Sequence, residues 1–125
     1  TLHTNSASQT IDRIIDTFPA GQQGQVTAQL AETIVAIVSE RLIPRIGGGR
    51  VPACEVMIAN SAIRNLVRER KAYQIDLVLE TSVQEGMLTM NRSIALLVKA
   101  KKITRESAEL YSPNPGELKT ILERT

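Results

Sequence analysis

Apolar residues recur at helical intervals at Ala7, Ile11, Ile14, Ile15 and Phe18, while Asp12, Arg13 and Asp16 fall on the other side. That period predicts a helix from Ala7 to about Thr17. Ser6, just ahead of it, and Gln9 stand at capping-box spacing, where side chains satisfy amides that the first turn leaves unpaired. Pro19, Gly21 and Gly24 interrupt the pattern. Val26, Leu30, Ile34, Val35, Ile37 and Val38 then form a wide apolar stripe, which predicts a second core helix ending near Glu40. Leu42 and Ile43, the run Gly47-Gly48-Gly49, and Val51 to Ile58 predict two strands joined at a glycine turn. Pro52 has no N–H to donate, so its end of the second strand is expected at a sheet edge.

From Ser61 onward no further strand pattern appears, and a helical bundle is expected. Ala62, Ile63, Leu66 and Val67 mark the buried side of its first helix, and Ile75, Val78, Leu79 and Val83 that of the next, closed by Gly86. Met90, Ile94, Leu97 and Val98 mark a third helix, and Thr104 opens a short one around Ala108 and Tyr111. Asn114-Pro115-Gly116-Glu117 combines an N-cap, a proline at the first helical position and a capping-box Glu. The last helix is therefore expected from Pro115 to about Glu123.

Composition narrows the possibilities. An apolar share of 42% over 125 residues fills one ordinary core, which argues against disorder. The 15 Lys+Arg against 13 Asp+Glu leave a formal charge of +2, too little phosphate neutralisation for a nucleic-acid-binding domain. No apolar run is long enough to span a bilayer, and no leader pattern precedes Gln9, so a cytoplasmic chain is expected. One cysteine (Cys54) and one histidine (His3) do not make a four-ligand zinc site, so no metal is expected. Phe18, Tyr73 and Tyr111 are the only aromatic residues, which argues against base stacking.

Candidate chemistry is sparse. No G-x-x-x-x-G-K-[ST] loop occurs, and Gly47-Gly48-Gly49-Arg50 supplies neither its lysine nor its spacing. His3 has no visible orienting partner for a nucleophilic triad. The segment Ala62 to Glu69 carries an apolar arc and a second arc of Arg64, Arg68 and Lys71, which reads as a solvated face or a partner surface. Lys99, Lys101 and Lys102 read as a solvated helix C-terminus. Glu55 shares its strand alternation with Val51 and Met57, so it faces a core and is expected to find an ion-pair partner there.

Thr1-Leu2-His3-Thr4-Asn5, Ile11 to Asp16, Gly49-Arg50-Val51, Glu55-Val56-Met57 and Ala62-Ile63-Arg64-Asn65-Leu66, in this order, resemble the C-terminal half of PilT-type twitching-motility ATPases. These are pilus-retraction motors of the secretion ATPase superfamily. The likeness covers essentially the whole chain; Ala62 to Leu66 resembles the retraction branch in particular, and the absence of paired CxxC motifs points the same way. Asn91, where an Asp is common, and Ala20-Gly21 depart from the family pattern.

The resemblance implies an α/β fold: residues 1–59 as the C-terminal portion of a RecA-like P-loop ATPase core, and 60–125 as a C-terminal helical bundle. It implies that His3 senses the γ-phosphate of ATP and that Ala62, Ile63, Arg64, Asn65 and Leu66 couple ATP turnover to retraction. The complete protein would then bind ATP and Mg2+, form a hexameric ring, and sit in the cytoplasm at the inner-membrane pilus base beside the pilus machinery. The Walker A and Walker B motifs are not among these residues, so the 125 residues alone are expected to be inactive and to hold no cofactor. The alternative is a stand-alone helical module that binds protein partners without nucleotide chemistry.

Overall fold

The structure, a computed structural model, describes residues 2–124. Helix α1 spans Ala7–Asp16 and α2 Gln23–Thr33; strands β1 (Ala36–Pro44) and β2 (Arg50–Ile58) follow; helices α3 (Ser61–Arg68), α4 (Ile75–Thr81), α5 (Met90–Lys99), α6 (Arg105–Tyr111) and α7 (Pro115–Glu123) complete the chain. The first helix begins as its sequence requires. Ser6 Oγ accepts from the Gln9 N–H at 3.2 Å, and Gln9 Oε1 accepts from the Asn5 N–H at 3.0 Å. Ala7, Ile11 and Ile15 are buried, whereas Phe18, counted with their stripe, lies past the helix end and is 39% exposed.

The second helix is shorter than its apolar stripe suggests. It stops at Thr33, where Ile34 turns to an extended ψ of 136°, and Ala36–Pro44 is strand rather than helix. The first strand thus starts at Ala36 and not near Leu42. Ile34, Val35, Ile37 and Val38 are all β-branched, and a period-2 arrangement serves them as well as a helical one. Pairing with β2 decides the matter: Ile37 lies opposite Met57, Ser39 opposite Glu55, and Ile43 opposite Val51, in antiparallel register. Gly47, Gly48 and Gly49 have φ of 92°, 116° and 74°, a left-handed run that only glycine adopts without strain and that makes the hairpin turn.

Pro52 sits where its missing N–H costs nothing. The N–H groups of Cys54 and Val56, at the same alternation, point away from β1 and bond to Ser93 Oγ (2.9 Å) and the Leu88 carbonyl (2.9 Å). The nitrogen of Pro52 falls on that outer edge. Leu88 pairs with Val56 in an isolated antiparallel bridge, a short extended contact within the otherwise helical second half.

Side chains cap α3, α5, α6 and α7, the last two at the positions expected from the sequence, whereas α4 starts without one. Asn60 accepts from the Ile63 N–H, Thr89 from Arg92, Thr104 from Ser107 and Asn114 from Glu117. Two apolar clusters hold the elements together. One gathers Ile11 and Ile15, Met57, Ile63 and Val67, Ile75 and Leu79. The other joins Ile43 and Ala53 of the hairpin to Met90, Ile94, Ala108 and Leu118. Each cluster draws residues from both sides of position 59. Several residues assigned by period to a buried side are in fact at the surface: Val35 and Val38 of the second stripe are 74% and 62% exposed, Ala62 is exposed, and Val83, in a short 3-10 turn after α4, is 41% exposed.

Candidate functional site

His3 lies exposed in the segment that leads into α1. The chain just after it is tied down closely. Thr10 Oγ1 donates to the Ser6 carbonyl (2.8 Å) and lies 2.6 Å from Thr4 Oγ1, and the capping pair joins Asn5, Ser6 and Gln9. Residues 4 to 10 therefore form one hydrogen-bonded unit, and His3 projects from its end.

That unit meets the hairpin through Glu55. The Glu55 side chain is only 6% exposed, and its Oε1 accepts the N–H of Ala7, the first residue of α1, at 2.8 Å. The sequence-expected ion pair is not what satisfies it: the partner is a helix N-terminal amide, one of the groups a helix leaves unpaired at its start. Burial pushes the Glu55 carboxyl above its ordinary range; the Ala7 N–H pulls it back, Asp76 raises it further and Arg41 lowers it. Glu55 opens on a polar groove of about 410 Å³ lined by Arg41, Asp76, Glu80, Asn91 and Glu117 among others. Arg41 donates across its rim to the Tyr111 carbonyl at 2.6 Å. The Glu117 carboxyl is raised as well, by burial and by Glu80, with Asn91 opposing and Asp76 adding to the rise. Buried Asn91 donates to the Asn114 carbonyl at 3.1 Å and accepts from the Ser112 hydroxyl, so the amide at this position joins α5 to the segment before α7.

The face of α3 is arranged differently from its sequence reading. Ile63 is fully buried, Leu66 is half-buried against the first cluster, and Ala62 and Asn65 are exposed. Arg64 is not a free cation. Its Nη1 donates to the carbonyls of Ala31 (2.7 Å) and Glu32 (3.1 Å), among the last groups of α2 that the helix leaves unbonded. Arg68 donates to Asn65 Oδ1 at 2.8 Å, and Lys71 pairs with Glu69 at 3.4 Å on the surface. His3 and the Ala62 to Leu66 segment thus belong to different elements, joined through the first apolar cluster and the hairpin.

Sequence spacing did not reveal the partners of Arg64 and Glu55, which lie 33 and 48 positions away. Inward alternation marked Glu55 as needing a partner, and the missing acidic neighbour of Arg64 was the only sign that its charge was committed elsewhere. Among the described residues, no group of three His, Cys, Asp or Glu side chains is placed to hold a metal ion, and no helix is long and apolar enough to cross a membrane.

No family model matches the chain. It is 44% identical over 115 residues to a twitching motility protein of Neisseria gonorrhoeae, covering 91% of this chain and 31% of that protein. It is 45% identical over 108 residues to the type IV pilus retraction ATPase PilT of Pseudomonas aeruginosa, covering 86% of this chain and again 31% of the relative. A crystal structure of the pilus retraction motor PilT with bound ADP superposes with a TM-score of 0.82 at 46% identity, over 100% of this chain and 34% of that one. The ATPase DotB of Legionella pneumophila shares the fold, with a TM-score of 0.72 at 20% identity. The chain thus spans about a third of the length of the relatives it matches. Over that third, in sequence and in α/β fold, it is a homologue of the PilT-type pilus-retraction ATPases.

Proposed function

We propose that the chain is the C-terminal portion of a hexameric ATPase motor that powers type IV pilus retraction and twitching motility. Residues 1–59 close its RecA-like nucleotide-binding core, and 60–125 form its helical region. The observation that carries this is the superposition on the ADP-bound retraction motor along the whole chain at 46% identity. ATP with Mg2+ is held by parts of the protein outside these residues. His3 contributes by sensing the γ-phosphate, a role that its exposed position at the end of a pinned segment suits. Ala62 to Leu66 couple turnover to retraction. The motor works in the cytoplasm, peripheral to the inner membrane at the pilus base, against the pilus machinery.

The test is genetic and enzymatic. Deleting the gene should leave pili on the cell surface but abolish their retraction and twitching, and the purified full-length protein should hydrolyse ATP. His3→Ala in that protein should slow turnover by about tenfold or more while ATP binding changes little, because charge on the transferring phosphoryl group redistributes in the transition state. Undiminished retraction in the deletion strain would reject the function, and equal losses of binding and turnover would reject the role of His3.

A further inference from the structure

Glu55 occupies a junction. Its side chain holds the first amide of α1, and with it the hydrogen-bonded unit of residues 4 to 10 from which His3 projects. On either side of it along β2, the backbone is clamped to the helical half: the Cys54 N–H by Ser93 of α5, and Val56 by a two-way pair with Leu88. Apolar packing of Ile11 and Ile15 presses α1 onto the hairpin, and that attraction is itself non-directional. A hydrogen bond of 2.8 Å to the end of the helix fixes its axial position. The Ser6 and Gln9 side chains satisfy other groups at this helix start and leave the Ala7 amide to Glu55. A buried glutamate is a costly acceptor for that task unless its position matters.

We propose that Glu55 is a positioning residue for His3: it sets the location of the α1 start against the hairpin and makes the His3 segment move as one body with the helical half. The inference rests on His3 acting at the nucleotide. It requires a hydrogen-bond acceptor at the Oε1 position, not a negative charge. Asp76, Glu80 and Glu117, which face the same groove, provide negative charge beside it that does not reach the Ala7 amide.

The test uses the full-length protein with three substitutions at this position. Glu55→Gln keeps an acceptor oxygen at the same reach without the charge, and turnover should stay within about twofold of wild type. Glu55→Asp keeps the charge but withdraws it by one methylene, and Glu55→Ala removes the acceptor. Both should lower kcat by about ten- to a hundredfold with KM for ATP little changed, since a displaced catalytic group costs that much. Hydrogen exchange at the Ala7 amide should accelerate in the same two variants. Combined with His3→Ala, Glu55→Asp should slow the enzyme no further than His3→Ala does alone, because both act through one contact. Should Glu55→Ala fail to fold, the order of the Gln and Asp variants still decides. An Asp variant faster than the Gln variant, or losses that multiply with those of His3→Ala, would overturn the positioning role while leaving His3 as the sensor. Normal turnover in His3→Ala would overturn the sensor assignment and this inference together.

Discussion

Arg64 stands on a helix that offers it no acidic neighbour one turn on, since that position is Arg68. An isolated reading of α3 leaves Arg64 free to meet a partner; the fold places it on the open carbonyls of Ala31 and Glu32 instead. Charged hydrogen bonds of this kind contribute about 1.5–3 kcal/mol, less where solvent reaches them, so Arg64→Ala should cost about 1–2 kcal/mol and lower the melting temperature by several degrees. A solvated or partner-facing Arg64 would instead leave the melting temperature within a few degrees of wild type. A twitching defect in Arg64→Ala becomes evidence for coupling only if Arg64→Lys, which retains a donor and charge at the end of α2, restores the melting temperature but not motility. Leu66→Ala makes the comparison. Because Leu66 is half-buried, its truncation should cost about 1–2 kcal/mol in thermal melting, below the 2–5 kcal/mol typical of a fully buried leucine.

At the scale of elements, caps and turns were legible because their causes are local. Asn114 and Pro115 place the start of α7 where the chain must stop being extended and begin to coil, and the structure runs that helix from Pro115 to Glu123 as expected. Asn60, not among the caps expected from the sequence, caps α3 in the same way, and its Nδ2 also reaches Glu85 at 3.3 Å. Asn60→Ala should destabilise the protein by about 1 kcal/mol, read by chemical denaturation, whereas Asn60→Asp should restore most of the loss by keeping the cap acceptor. The boundary between α2 and β1 was illegible for the opposite reason. Val26, Leu30, Ile34 and Ile37 satisfy a helical period, while Val35 to Ile43 satisfy the alternation of a strand. Only the presence of β2 alongside, nine residues paired with nine, makes the extended form the better one.

Across the whole molecule, two carboxyls share one groove and both are held above the ordinary carboxylate value of 4.5, chiefly by burial. A group with a raised folded-state value binds its proton more tightly in the folded protein than in the unfolded chain. The stabilisation from that proton is complete below pH about 4.5 and is lost as pH rises through the folded value. Glu55→Gln, which cannot lose a proton there, should gain stability relative to wild type as pH rises from about 4 to 8. Paired melting curves across that range check the sign; a difference that shrinks with pH would contradict it. A second prediction at this scale concerns the 125 residues by themselves. Without a G-x-x-x-x-G-K-[ST] loop to cradle phosphates, they should show no ATP turnover above a buffer blank in a phosphate-release assay.

What these residues determined alone is whatever neighbouring positions decide between themselves. The start of α1 and the last three helices belong to that class, as do the glycine hairpin turn and the edge placement of Pro52. Each follows from a backbone angle, a missing N–H or a side chain three residues from its partner. The ordered match to a motor family was legible too, because it rests on many residues at once. Tertiary structure decided how α2 gives way to β1, that Ala62 faces solvent, that Arg64 closes the end of α2, and that Glu55 takes a helix amide in place of a counter-ion. Those outcomes turn on groups beyond the reach of any local pattern, 33 and 48 positions away for Arg64 and Glu55. Their free energies exist only once burial has removed water as the competing partner, and no local pattern carries that information.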